Sequence, residues 1–176
     1  MTAEMAYSRR AAVVTVSDRV ASGVASDESG PDLARLLTEV GWAIAAREVT
    51  PDDMKEIVAV LERLADECEV ALVLTTGGTG IAPRDVTPDA TRRIVEREVS
   101  GIAEALRAAS LARTPHAMLS RGTAGIRGRT LYVNLPGSPR AVFETFEVLA
   151  PILDHAVNLV AGRTASVDEH RAADRG

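Results

Sequence analysis

The stretch Val70-Ala71-Leu72-Val73-Leu74-Thr75, followed at once by Thr76-Gly77-Gly78-Thr79-Gly80, decides how this chain folds. An unbroken apolar run offers no polar face to solvent, so it reads as a strand covered on both sides. Such strands belong to parallel sheets whose crossover connections lay helices on each face. A second run, Ala11-Ala12-Val13-Val14-Thr15-Val16, has the same character and ends in Ser17-Asp18.

Outward from these two runs, helical and extended segments alternate. A polar loop follows Asp18 through Gly30, and Pro31 then opens a helix with Leu33, Leu36, Leu37 and Val40 at helical spacing, stopped by Gly41. Trp42 to Val49 is extended. Thr50-Pro51-Asp52-Asp53 has the composition of a helix start: Thr50 as cap, Pro51 at the first helical position, an acid three residues after the cap. Ile57, Val58, Leu61 and Leu64 give that helix its apolar face. Further helices are expected from Thr87-Pro88-Asp89 and across Ile102 to Leu111, and further strands at Ala117 to Leu119 and Thr130 to Val133. From Pro139 to about Gly162 the spacing is helical, with an interruption or restart expected near Pro151. The expectation is one α/β domain over residues 1–164, a three-layer, Rossmann-like α/β/α arrangement on a mostly parallel sheet, followed by a polar tail at 165–176.

At 176 residues the chain is long enough to bury a core without disulfide or metal staples. Aromatic residues make up only 3%, so that core is built from Val, Leu, Ile and Ala. A formal charge of −5 argues against general nucleic-acid binding, which depends on a positive surface. Cys68 is the only cysteine, which excludes an intramolecular disulfide; its acidic neighbours Asp66, Glu67 and Glu69 disfavour a thiolate, so it reads as structural. No apolar run reaches the roughly 20 residues of a bilayer span, and Met1 to Arg10 lacks a signal-peptide core. A cytoplasmic protein with no membrane partner is expected.

Open α/β sheets bind ligands beyond the carboxyl ends of their strands, which directs attention to Ser17-Asp18, Thr75 to Asp85 and Asn134 to Ser138. Glycines at 77, 78 and 80 let backbone N–H groups converge on an anion, and Thr79 adds a hydroxyl. Alone, the same residues also fit a plain strand-to-helix turn. They are neither a P-loop nor a dinucleotide fingerprint, since Pro83 stands where the last glycine would be. Asp85, a few residues beyond, is placed to hold Mg²⁺ against phosphate oxygens, or else to be a loop carboxylate paired with Arg84. Asp52 and Asp53 fit the first turn of a helix, where acids interact with its dipole. From a strand end, however, Asp52 also faces the crevice that Asp85 faces. Asn134-Leu135-Pro136-Gly137-Ser138-Pro139 joins a strand to a helix whose first amides suit an anion. His116, His155 and His170 show no ligand spacing, and no Cys/His cluster suggests zinc. No Gly-x-Ser-x-Gly elbow supports acyl transfer.

Taken in order, Val16 to Arg19, Pro51 to Asp53, Thr75 to Pro88, Leu119 to Arg121, Ala124 to Gly128 and Asn134 to Pro139 resemble the molybdopterin adenylyltransferases, among them the bacterial Mog proteins and the G domains of gephyrin and its plant counterpart. The resemblance runs from about Ala11 to Gly162. It implies a three-layer fold assembled as a homotrimer, and Mg²⁺-dependent transfer of AMP from ATP to the terminal phosphate of molybdopterin, with hand-over to a molybdenum insertase. By motif position it puts the catalytic, metal-holding acids on Asp52 and Asp85. The nucleotide- and phosphate-binding loops fall on Gly77, Gly78, Thr79 and Gly80 and on Pro136, Gly137 and Ser138. Ser17 and Asp18 match the first loop, and Glu104, Ser110 and Ser120 the pterin side. The intact Arg84-Asp85 pair fits the active branch. The alternatives are a carrier or scaffold that holds molybdopterin without transforming it, a molybdenum insertase with a similar domain, and a generic nucleotide-binding regulator.

Overall fold

The apolar runs become strands β1 (Arg10–Val16) and β3 (Leu72–Thr76), buried along almost their whole length. The computed structural model describes residues 9–163; the tail expected at 165–176 lies outside the described residues. With β2 (Ala43–Thr50), β4 (Arg97–Glu98), β5 (Ala124–Arg127) and β6 (Thr130–Leu135) they form one six-stranded sheet, ordered β2-β1-β3-β6-β5-β4. The first four are parallel; β5 runs antiparallel to β6, and β4 to β5.

Alternation along each strand sends side chains to two separate cores. Ala11, Val13, Leu72, Leu74, Leu131 and Val133 pack against α2 (Ser29–Glu39), α5 (Ser100–Leu111) and α6 (Pro139–Val160). Ala12, Val14, Val16, Val73 and Tyr132 pack against α3 (Met54–Asp66) and α4 (Thr87–Ile94). Tyr132 is fully buried because its hydroxyl donates to the Leu61 carbonyl at 2.9 Å. The expected three layers are therefore present. The chain leaves β1 towards β2 on one side and β3 towards β6 on the other, which opens a crevice between the carboxyl ends of β1 and β3.

Local readings differ from the structure in five places. Thr50 does not cap a helix: it pairs with Val16 as the last residue of β2, and Asp53 caps α3, accepting from the amides of Lys55 and Glu56 at 2.9 and 3.2 Å. Sheet pairing outweighs the local cap signal. Ala117 to Leu119 is not a strand but part of a 3₁₀ turn (Pro115–Leu119) capped by Thr114, with Met118 and Leu119 exposed. The loop after β1 contains a single helical turn, α1 (Asp18–Ala21), and α2 starts at Ser29, ahead of Pro31. The antiparallel pairing of β4 with β5 has no counterpart among the expected strands. Helix α6 runs unbroken through Pro151, because Pro151 and Glu147 both lie on the solvent side. The Glu147 carbonyl that loses its amide partner there is open to water. Among the described residues, no helix is long and apolar enough to cross a membrane.

Candidate active site

Where β1 and β2 end, two acids tie their loops together. The amide of Asp18 donates to Asp52 Oδ2 at 2.8 Å, and the amide of Asp52 donates to Asp18 Oδ1 at 3.0 Å. This exchange is open to Asp52 because Asp53 carries the helix cap. Ser17 fixes the start of α1, its hydroxyl accepting from the Val20 amide at 3.3 Å. Arg84 grips the Asp18 carboxylate with both arms of its guanidinium, Nε at 3.0 Å and Nη2 at 2.7 Å. Hydrogen bonding from Arg84 holds the Asp18 carboxyl below the ordinary aspartate range, against a smaller opposing effect of desolvation. Arg84 thus serves Asp18 rather than its neighbour Asp85.

The glycine loop lies directly over this pair. Gly77, at φ +98°, packs so closely on the Val16 carbonyl that any Cβ would overlap it, and its amide is spent on the Leu135 carbonyl at 3.2 Å. A Cβ at Gly78 would sit 2.9 Å from Asp52 Oδ1, and one at Gly80 would sit 2.8 Å from Asp85 Oδ2. The structure therefore brings Asp52 and Asp85 to the same loop. The amides of Gly78, Thr79 and Gly80 form no hydrogen bond among the described residues, leaving three backbone donors unspent. Asp85 Oδ2 accepts from the Ala82 amide at 2.8 Å, closing its loop.

Burial pushes the Asp52 carboxyl above its ordinary value of 3.8; the hydrogen bond from the Asp18 amide opposes this, while the negative charges of Asp18 and Asp85 add to it. Asp52 and Asp85 each keep one carboxylate oxygen without a hydrogen bond among the described residues. That donor set fits a hard divalent cation. No group of three or more His, Cys, Asp or Glu suited to a metal occurs among the described residues.

The raised proton affinity also fixes a sign. Asp52 binds its proton more tightly folded than unfolded, so the stability it gives is full below pH 3.8 and is lost as pH rises through the folded value. Asp52→Asn retains an oxygen for the Asp18 amide. It is expected to raise the midpoint of thermal unfolding by on the order of 2 °C at neutral pH, with the gain vanishing at about pH 4. Melting curves across that range check this, and a lowered midpoint at neutral pH contradicts it.

Arg121 is not marked as a site residue by the sequence, although the Leu119 to Arg121 segment is. Its Nε donates to the Gly80 carbonyl at 2.9 Å, its Nη2 to the Asp85 carbonyl and to Asp89 Oδ2 at 2.6 Å, and its amide to the Thr79 carbonyl at 2.8 Å. One guanidinium pins the glycine loop and the Asp85 turn to α4. These partners lie 41 and 36 positions upstream, a pairing no local pattern reveals. Asn134 is likewise committed: Nδ2 donates to the hydroxyls of Thr75 and Thr91 at 3.0 and 2.9 Å, and Oδ1 accepts from the Thr123 amide at 3.2 Å.

Two hollows flank the loop. A cleft of about 250 Å³ is lined by Thr79, Gly80, Ser110, Ser120 and Pro136, with Arg107 bracing one wall through the carbonyls of Ser120 and Gly122, both at 3.1 Å. Glu104 is not part of that lining. It stands exposed on α5, whose cleft-facing residues are Ala103, Leu106, Arg107 and Ser110. On the other side, a crevice of about 230 Å³ is lined by Ser17, Asp27, Ser29, Gly77 and Gly137. Ser138 lines neither hollow; it caps α6 by accepting from the Ala141 amide at 3.3 Å. Asp18 lines neither, being held by Arg84.

With this geometry in place, residues 12–155 match the family described as a "probable molybdopterin binding domain". The chain is 38% identical over 159 residues to a molybdopterin adenylyltransferase of Helicobacter pylori, an alignment covering 89% of this chain and 90% of that protein. It is 39% identical over 174 residues to gephyrin of Dictyostelium discoideum, covering 92% of this chain but spanning only 24% of that protein's length. Among solved structures it is similar to the molybdopterin biosynthesis enzyme MoaB of Thermus thermophilus, at 46% identity and a TM-score of 0.82, over 87% of this chain and 96% of that one.

Proposed function

Since the chain belongs to the molybdopterin-binding domain family, we propose that it is a molybdopterin adenylyltransferase of molybdenum cofactor biosynthesis, moving AMP from ATP onto the terminal phosphate of molybdopterin. The observation that carries this reading is the convergence of Asp52 and Asp85 on the glycine loop, whose amides at 78, 79 and 80 are unspent.

A phosphate oxygen of the pterin attacks the α-phosphorus of ATP; the new oxygen–phosphorus bond forms as the bond to the β-phosphate oxygen breaks, and pyrophosphate leaves. The attacking group is already an anion, so no side-chain nucleophile is needed, and the chain's work is alignment and charge placement. The loop amides donate to phosphate oxygens, and Arg121 keeps that loop from yielding. Ser110, Ser120 and Arg107 shape the cleft for the pterin, while the crevice beside Ser17 and Gly137 remains for the nucleotide. Asp52 and Asp85 would hold Mg²⁺, which when bound neutralises the charge of the triphosphate and of the departing pyrophosphate. Without a cation, two carboxylates beside the loop would repel those phosphates.

The reading extends to a cytoplasmic homotrimer that passes its product to a molybdenum insertase. The exposed apolar residues Phe143, Val148, Ile152 and Leu159 on α6 support self-association.

Mixing the protein with ATP, Mg²⁺ and molybdopterin and following pyrophosphate tests the activity. Release that requires the pterin is expected. Tight pterin binding with no release selects the carrier, and ATP binding indifferent to the pterin selects a nucleotide-binding regulator.

A further inference from the structure

Two threonine hydroxyls, those of Thr50 and Thr87, are buried without a hydrogen-bond partner among the described residues. Thr50 stands two positions before Asp52, and Thr87 two positions after Asp85. The surroundings of Thr87 are the more informative. It is 0% exposed, its amide donates to the Gly78 carbonyl at 3.2 Å, and its carbonyl accepts from the Thr91 hydroxyl at 3.0 Å. Its own hydroxyl lies against the α-carbon of Gly78, on the face that Asp52 Oδ1 also approaches: a Cβ there would overlap the Thr87 hydroxyl and sit 2.9 Å from Asp52 Oδ1. An unpaired buried hydroxyl destabilises a fold, and valine has nearly the same shape without that penalty. A threonine at this position makes sense if its hydroxyl gains a partner when the site is filled.

We infer that Thr87 is a positioning residue for Asp52, its hydroxyl donating to Asp52 Oδ1 once a divalent cation and a triphosphate are seated on the glycine loop. The inference rests on the metal-holding role proposed above for Asp52. Gly78 is what permits it: a side chain there would occupy the space that both the hydroxyl and the carboxylate border. Partners of this kind, which orient a ligating group without touching the metal, typically change metal affinity 10- to 100-fold.

The test is thermal unfolding of the whole chain with Mg²⁺ titrated at fixed ATP and no pterin, so that no turnover occurs. For Thr87→Val the midpoint without ligand should equal or exceed that of the wild type, while the Mg²⁺ concentration giving half of the ATP-dependent stabilisation rises about 10- to 100-fold. Thr87→Ser, which keeps the hydroxyl and loses the methyl group, should retain the wild-type Mg²⁺ dependence. An unchanged Mg²⁺ response in the valine variant overturns the inference alone. Loss of the response in the serine variant overturns it too, since the methyl packing would then be responsible. A wild-type chain whose stabilisation by ATP ignores Mg²⁺ removes the metal site, and this inference with it.

Discussion

Asp85→Asn is expected to lower turnover by about 10²-fold or more in a protein that keeps its fold. The fold survives because the one structural bond of this carboxylate, from the Ala82 amide at 2.8 Å, needs only an oxygen, which asparagine supplies. The Arg121 contact in the same turn is made to the backbone carbonyl of residue 85 and is untouched. What is lost is a negative charge beside Gly80, one of the two proposed to hold Mg²⁺ against phosphate on the loop. A factor of 10² corresponds to about 2.7 kcal/mol of transition-state stabilisation, within the several kcal/mol that a bound metal contributes. Pyrophosphate release by the variant, with circular dichroism to show that it is folded, measures the effect. Wild-type turnover in a folded Asp85→Asn protein removes the metal role.

Gly77→Ala should damage stability and turnover together. At φ +98° an alanine is strained wherever it sits, and here its Cβ would also overlap the Val16 carbonyl, a backbone atom at the end of a central strand that cannot rotate away. A loss of about 2–4 kcal/mol is expected, or roughly 5–10 °C in the unfolding midpoint, with turnover down about 10²-fold as the loop amides are displaced. Gly23 is the control. It too has positive φ, +73°, but a Cβ there meets nothing within 4 Å, so Gly23→Ala should cost only about 1 kcal/mol and leave turnover unchanged. If Gly77→Ala melts no lower than Gly23→Ala, the close packing of the loop on β1 is not what stabilises it.

Much of this is legible in the chain itself. β1 and β3 announce themselves because strands buried on both faces need apolar side chains at every position, and the loop after β3 is marked by its glycines. The antiparallel edge leaves no such mark because β4 has two residues and β5 four, too few for a periodic pattern. Ala117 to Leu119 misleads for the same reason: three apolar residues carry no period, and two of them are exposed. The start of α3 is misplaced because a cap signal is local, whereas the pairing of Thr50 with Val16 spans 34 positions. That shift matters to the site, since it releases Asp52 from the helix and turns it towards Asp18 and Gly78. Asp52 and Asp85 can be picked out one by one. The guanidinium of Arg121 across the loop and the hydroxyl of Thr87 beneath it depend on tertiary packing.

On the proposed reading, the contact between the two glycine-bearing loops sets how near the two substrates can come. A Cβ at Gly137 would lie 3.1 Å from the α-carbon of Gly77, so the loops touch main chain to main chain, and they divide the cleft at Pro136 and Gly80 from the crevice at Gly137 and Ser17. Substrates lodged on either side of that contact, on the same proposed reading, need only reach past it for an oxygen of one to arrive at a phosphorus of the other. A side chain grown at Gly137 would press on the Gly77 main chain and widen the divide between the two berths.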